Sequence, residues 1–119
     1  MTITVASRKA KARTLQNKVA ADIRSLYPVL DGDDIRPAIM GESGIDIKLS
    51  NHARQFFPWG VECKCQECIN VWTSFEQAEN NAKIEKTVRP LLVFKRNRSE
   101  TYVMMKWSDF LLLQKEVKK

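Results

Sequence analysis

The part of the sequence that most constrains the fold is a pair of short stretches at residues 45–49 and 59–65. In the first, isoleucine and leucine alternate with polar residues, and the second is an apolar run interrupted by charges. A period of two is typical of a strand with one buried face. Each predicted strand carries one acid, Asp46 in the first and Glu62 in the second. The sequence therefore predicts two strands that bring two carboxylates into one sheet.

The rest of the chain can be placed by the same periodicities. All 119 residues fit one domain with residues 1–6 as a loose N-terminus, and Ser7 is the expected N-cap of the first helix. On the middle helix, Trp72 and Phe75 are predicted to lie in the core. We expect an α/β fold with a mixed central sheet flanked by helices, in the order α-β-β-β-α-β-β-α. The elements are a helix at 7–26, strands at 35–40, 45–49 and 59–65, a helix at 71–82, strands at 91–94 and 101–105, and a helix at 107–117.

The charge is unevenly distributed along the chain. The formal net charge is +6. Bases outnumber acids in residues 8–24 and 83–106, whereas acids outnumber bases in residues 25–82. Two basic flanks around an acidic centre suit a protein that holds a polyanion near a metal site. The alternative is that both flanks are simply solvated helix and loop faces.

Two further features concern the location of the protein. The sequence has no apolar run long enough to span a membrane and no signal-peptide pattern at its N-terminus. Its three cysteines indicate a reducing compartment rather than a disulfide framework. We therefore expect a cytoplasmic protein without a membrane partner.

The two acids and a nearby lysine form a chemically meaningful set. Side chains alternate along a strand, so Glu62 and Lys64 point to one face, and strand pairing can bring Asp46 to Glu62. Adjacent carboxylates repel unless a cation lies between them, which favours Mg²⁺ or Mn²⁺. Such a cation polarises a phosphate and activates water, and a lysine can neutralise the developing charge. The pattern indicates metal-assisted phosphodiester hydrolysis.

Other arrangements of the same residue types remain open. The acid-x-lysine triplet also occurs as Asp46-Ile47-Lys48, for which Asp33 or Asp34 is the upstream acid, and at Glu116 in the last helix. A zinc site could be drawn from Cys63, Cys65, Cys68 and His52. Zinc sites usually use two Cys-x2-Cys pairs, and this chain has one, so buried hydrophobic cysteines are the favoured interpretation.

Residues 41–64, the helix at 72–82 and the strand at 90–98 resemble a small PD-(D/E)xK nuclease. The likeness is to phage-encoded members related to Holliday-junction resolvases, and it covers roughly residues 7–115. The resemblance implies a restriction-endonuclease-like core, Mg²⁺-dependent cleavage of DNA, activity on branched DNA and a homodimer.

The resemblance also implies roles for individual residues. Asp46 and Glu62 match the metal-binding acids, Lys64 the catalytic lysine, and the backbone carbonyl of Cys63 a further ligand. Gln16 stands where many relatives have a first-helix glutamate, and its lack of charge argues against a strong second metal site. The position before Asp46 lacks the usual proline. Gln77 matches a glutamine that relatives often have on the helix after the acid-x-lysine strand.

Several polar residues are candidates for binding DNA. Four bases at the start of the first helix oppose the helix dipole, which favours a phosphate-binding role for them. Three bases after the strand at 91–94 either grip the DNA backbone or form a charged hairpin tip. A serine before Asp46 either binds a phosphate or forms a turn. The candidates are Arg8, Lys9, Lys11, Arg13, Ser43, Lys95, Arg96 and Arg98. The rival interpretations are a non-catalytic nucleic-acid-binding module and an interaction protein with a degenerate nuclease fold.

Overall fold

The computed structural model describes residues 4–39, 41–85 and 89–117, which form nine elements. All eight predicted elements occur in the predicted order, and one short helix that the sequence did not indicate (Asn51–Phe56) lies between the second and third strands. The elements are α1 (Val5–Leu26), β1 (Ile35–Pro37), β2 (Ile47–Leu49), α2 (Asn51–Phe56), β3 (Trp59–Cys65), α3 (Val71–Glu85), β4 (Arg89–Lys95), β5 (Tyr102–Met104) and α4 (Trp107–Glu116).

The strands form two sheets, and the larger one, which contains β3, β4 and β5, is the predicted mixed sheet flanked by helices. β3 and β4 are parallel, with Glu62 beside Leu92 and Lys64 beside Phe94. β5 pairs antiparallel with the other side of β4, and α3 is the crossover that a parallel pair requires. β1 and β2 form a separate antiparallel pair that lies next to the free edge of β3. The prediction that the strands at 45–49 and 59–65 share one sheet is therefore wrong.

The core lies between α1 and one face of the sheet. Leu15 and Val19 of α1 pack in one cluster with Val61 and Cys63 of β3 and with Val93 of β4. Because side chains alternate along β3, Glu62 and Lys64 are directed to the opposite face, which α3 covers. The strand pattern therefore separates the apolar core from the polar residues of β3.

Two details of the helices differ from the predictions. Thr4, not Ser7, is the N-cap of α1, because the Thr4 hydroxyl accepts a 3.1 Å hydrogen bond from the Ser7 N–H. The helix thus includes residues expected to be loose, and residues 1–3 lie outside the described part. Trp72 is 77% exposed, although the sequence predicted it in the core, whereas Phe75 is buried. Trp72 lies beyond the stripe of α3 that faces the sheet.

The last helix is the least embedded element. Leu113 packs against the core, but Trp107 is 70% exposed, and Phe110, Leu111 and Leu112 are also exposed. α4 therefore presents an apolar outer face. In the part of the chain that the structure describes, no helix is long and apolar enough to cross a membrane.

Candidate active site

Asp46 and Glu62 meet at the free edge of β3. The backbone N–H of Asp46 donates to the Val61 carbonyl at 2.9 Å, and Asp46 Oδ2 accepts from the Cys63 N–H at 2.7 Å. These two bonds bracket Glu62 and place Asp46 opposite it. The juxtaposition predicted from the alternating strands is therefore present, although Asp46 immediately precedes β2 and is not part of it.

An ion pair and a glycine turn determine the conformation of the loop before Asp46. Arg36 and Glu42 form a two-armed ion pair, with distances of 3.0 and 3.1 Å, and this pair holds the pKa of Glu42 down at about 2. Gly44 has a φ of +93°, a conformation that side chains rarely adopt. A proline, whose φ is fixed near −65°, could not replace this glycine. The chain therefore reaches Asp46 through a glycine turn.

Glu62 lies in an environment that opposes its ionisation. Its side chain is buried, with 4% of the residue exposed. The pKa of Glu62 is raised to about 8, first by burial and then by the charge of Asp46 and a hydrogen bond between the two carboxyl groups, while Lys64 and Asn81 oppose the rise. Two carboxyl groups this close need a shared proton or a cation. At neutral pH Glu62 therefore keeps its proton and shares it with Asp46, unless a cation takes the place of that proton.

The donor set at this edge suits a hard divalent cation. The N–H and C=O of a strand residue point to the same edge, so the Cys63 carbonyl is directed toward Asp46, as the Cys63 N–H is. Two carboxylates and one carbonyl are oxygen ligands of the kind that Mg²⁺ uses, with waters completing its octahedron. The residues present therefore fit the Mg²⁺ or Mn²⁺ ion that the resemblance implies.

The cysteines do not form a zinc site among the residues described, where no group of three or more His, Cys, Asp or Glu side chains could hold a metal. Cys63 is buried, Cys65 is half-buried and Cys68 is exposed. Burial raises the pKa of the Cys63 thiol, and the neighbouring carboxylates raise it further. His52 instead packs edge-on against Phe56 of its own helix. Cys63 acts as a small core residue whose backbone faces the acids.

Lys64 lies at the end of β3 beside Glu62. Its positive charge opposes the rise of the Glu62 pKa, which places the ammonium within electrostatic reach of the acids. Its ammonium makes no hydrogen bond or ion pair within the described ranges. Lys64 also lines a cleft of about 490 Å³ together with Arg8 and Lys11 of α1. A phosphate held in this cleft would contact the lysine next to the acidic pair.

The competing triplet is arranged differently. Lys48 Nζ donates to the Ser43 carbonyl at 2.6 Å, so this lysine stabilises the loop. Asp34 accepts from the Ser50 hydroxyl at 2.6 Å, a bond that lowers the Asp34 pKa. Asp33 is exposed. The partner that the sheet brings to Asp46 is Glu62, and neither upstream aspartate replaces it.

The two glutamines are near this region without contacting the acids. Gln16 is half-buried on α1, one turn after Ala12, and no hydrogen bond among the described residues joins its side chain to Asp46 or Glu62. Gln77 is exposed. Asn81, on the same helix, contacts Glu62. Gln77 is four helical residues from Asn81, about 6 Å, and Lys64 is two strand residues from Glu62, about 6.6 Å. Gln77 therefore lies level with Lys64.

Asn81 is a residue that the sequence reasoning missed. Its Nδ2 donates to Glu62 Oε2 at 3.5 Å, the long end of a hydrogen bond. Its contribution lowers the Glu62 pKa against the larger effects that raise it. A signal was present, because Asn81 follows Gln77 by four residues and therefore shares its helix face.

The structure divides the basic candidates into groups. Lys11 lines the cleft of Lys64 and also a second cleft with Lys18, which the sequence reasoning had not singled out. Lys95 and Arg98 line this second cleft as well. Arg96 lines a third groove on the other side of the hairpin. Ser43 is exposed in the loop before Asp46.

Lys9 and Arg13 lie elsewhere on α1. Both are exposed, and they line neither of the first two clefts. One cleft of bases, rather than the whole first turn of the helix, is therefore next to the acidic pair.

The mixed sheet, its crossover helix and the acidic edge of β3 form a restriction-endonuclease-like core. Residues 31–119 match the family described as "Phage putative PDDEXK endonuclease". The chain belongs to this phage PD-(D/E)xK endonuclease family, whose name indicates nuclease activity. No curated protein and no solved structure matches the chain.

Proposed function

We propose that the protein is a metal-dependent DNA endonuclease that hydrolyses phosphodiester bonds. The observation that carries this proposal is the juxtaposition of Asp46 and Glu62 at the edge of β3, two residues before Lys64, whose ammonium has no hydrogen bond or ion pair with the residues that the structure describes. Glu62 is buried and Asp46 is half-buried, so a pair in which both carboxyl groups are ionised is unfavourable when no cation lies between them. Its arrangement beside a basic cleft is explained by a need for a cation and a phosphate.

Each residue has a specific role in this mechanism. The carboxylates of Asp46 and Glu62 and the carbonyl of Cys63 would hold the Mg²⁺ or Mn²⁺ ion. When bound, this ion polarises the scissile phosphate and lowers the pKa of a water. The Cys63 N–H keeps the Asp46 carboxylate in position. Lys64 orients the attacking water or neutralises negative charge on the phosphate as it develops.

The glutamines have supporting roles. Gln77, level with Lys64 on α3, is positioned to hydrogen-bond the phosphate or the attacking water. Gln16, on the stripe of α1 that contains Ala12, supplies a neutral amide where an acid would add negative charge. We therefore propose one tightly held metal ion rather than two.

The basic residues around the clefts bind the DNA backbone. Arg8 and Lys11 lie with Lys64, and Lys95 and Arg98 lie on the hairpin next to Lys11. Phosphate contacts of this kind set affinity and register without reading sequence. We propose that Lys9, Arg13 and Ser43 also contact the DNA backbone, at greater distance from these clefts.

We also propose that the enzyme acts on branched DNA, such as Holliday junctions, as a homodimer in the host cytoplasm. A single site cuts one strand, so paired incision needs two subunits. The outer face of α4 supports this assembly, because Trp107 is 70% exposed, and Leu111 and Phe110 lie beside it. Exposed apolar patches of this kind mark protein interfaces.

The test is cleavage of labelled linear, flapped and four-way DNA during titration with Mg²⁺ or Mn²⁺. We expect cleavage only with metal, and neither Asp46→Asn nor Glu62→Gln should cut, while both still bind DNA through the basic clefts. Asp33→Asn is the matched control and should cut normally. Binding without any metal-dependent cleavage would instead favour the rival non-catalytic module. Light scattering at micromolar concentration tests the dimer separately.

A further inference from the structure

A groove on the α3 side of the sheet lies beside the proposed catalytic lysine. It has a volume of about 290 Å³, and its walls come from the segment between β3 and α3 and from the β4–β5 hairpin. Its floor contains the cross-strand pair Phe94 and Tyr102. Phe94 is itself the register partner of Lys64. Lys64, Phe94 and Tyr102 thus stand side by side across three strands.

The strand register sets the distance between the groove and the proposed catalytic lysine. Neighbouring strands are about 4.8 Å apart, so Tyr102 lies about 10 Å from Lys64 across the sheet. Phosphates of one DNA strand follow each other at about 3.4 Å along the helix axis. A DNA strand whose phosphate contacts Lys64 can therefore place a base only a few nucleotides away in the groove.

The groove exposes an aromatic surface. Tyr102 is 54% exposed, and its ring lies 6.1 Å from that of Phe94 at an angle of 35°. The phenol of Tyr102 has no hydrogen-bond partner in the ranges described. Ile69 and Val71 complete the apolar lining. A flat apolar ligand can stack on the exposed ring.

Charged and polar groups surround this apolar floor. Lys95 and Arg96 line the groove, and either can contact a phosphate. Glu67 also lines it, but its Oε2 accepts a 2.8 Å hydrogen bond from the Asn97 N–H. The Gln66 N–H donates to the Lys95 carbonyl at 3.1 Å. These two bonds join the walls, so the groove is preformed in this structure.

We infer that this groove binds an unpaired nucleobase of the substrate, stacked on Tyr102, with a flanking phosphate at Arg96. The inference rests on the proposed nuclease function and narrows its substrate to DNA that has an unpaired base near the cleaved bond. Base stacking on an aromatic side chain tolerates every base, because each has a flat face. A paired base in an intact duplex cannot enter the groove.

The experiment measures binding of a single-stranded DNA that contains 2-aminopurine, whose fluorescence changes on stacking, with EDTA present to prevent cleavage. We expect Tyr102→Ala to abolish the fluorescence change and to weaken binding about 5- to 140-fold, the equivalent of one stacked base. Tyr102→Phe should retain both. Affinity for a blunt duplex should be the same for all variants.

The matched control is Val103→Ala, because Val103 is the next residue of β5, is also 54% exposed, and faces the opposite side of the sheet. It should behave as wild type. Unchanged binding of the unpaired probe by Tyr102→Ala would overturn the inference, as would a change in self-association without a change in DNA binding. The proposed function fails by a different result, namely wild-type protein that does not cut DNA with Mg²⁺ or Mn²⁺.

Discussion

The triplets Glu62-Cys63-Lys64 and Asp46-Ile47-Lys48 have the same pattern of residue types and very different surroundings. Lys48 donates a 2.6 Å hydrogen bond to the Ser43 carbonyl and so belongs to the loop. Lys64 keeps its ammonium free of such bonds in the described part of the chain and lies beside a buried acid whose pKa is raised. The residues around a short motif, and not only the residue types within it, therefore decide its chemistry.

The difference has a structural origin. Asp46 precedes β2 and borders β3, so its carboxylate is bound by the Cys63 N–H. β3 is paired with β4 along its full length, and α3 covers one of its faces. The triplet on β3 is therefore enclosed, whereas the lysine of the first triplet folds back onto its own loop.

The largest effect we expect separates the two lysines. Lys64→Ala should lower the cleavage rate by about 10²–10³-fold, as loss of a single charge-stabilising group in a transition state does, while DNA binding persists. Lys48→Ala is the matched variant and should cut at nearly the wild-type rate. Single-turnover cleavage with saturating Mg²⁺ measures both. The reverse order of the two rates would move the active site to the first triplet.

A smaller expected effect concerns stability and tests whether Glu62 of the second triplet is buried as the structure shows. The pKa of Glu62 is raised from 4.5 to about 8 in the folded protein, so the folded state holds a proton more tightly than the unfolded state. Stability from this group is present below pH 4.5 and is lost as the pH rises through about 8. Each unit of pKa difference corresponds to about 1.4 kcal/mol.

Without metal, we therefore expect Glu62→Gln to be more stable than wild type, by a margin that grows from about pH 5 to about pH 8. Chemical denaturation in EDTA measures this margin. Glu42→Gln is the control, because Glu42 titrates at about 2, and its difference from wild type should not vary over this range. Added Mg²⁺ should stabilise the wild type but not Glu62→Gln. A margin independent of pH would contradict the assigned environment of Glu62.

The smallest effect tests which bases of α1 share the cleft of Lys64. Replacing Arg8 and Lys11 by alanine should flatten the plot of log affinity against log salt by about 0.9 for each duplex phosphate that the protein no longer neutralises. Lys9 and Arg13, which do not line this cleft, form the matched pair and should change the slope less. Filter binding across a salt series measures both. Equal slopes for the two double variants would show that the cleft does not select among the bases.

Much of this arrangement could be predicted from the sequence, for local reasons. β3 occupies the predicted residues 59–65, because an apolar run after Pro58, interrupted only by Glu62 and Lys64, is typical of a buried strand. The inward face of α3 at Phe75, Ala78 and Ala82 follows from helical spacing. The meeting of Asp46 and Glu62 was predicted from two paired strands, but Asp46 precedes β2, and its hydrogen bonds to Val61 and Cys63 bring the two acids together. The periods of helix and strand are properties of the local backbone.

What only the tertiary structure decided is which side chains find a partner. Trp72 has the helical spacing of a core residue, but its ring is exposed. The part of α3 that contacts the sheet is narrower than the apolar face that the sequence predicts for this helix. Asn81 contacts Glu62 only because α3 crosses back over β3, and Lys64 stands beside Phe94 and Tyr102 only through the strand register. Local sequence determines the direction of a side chain, but the packing of elements distant in the chain determines what it contacts.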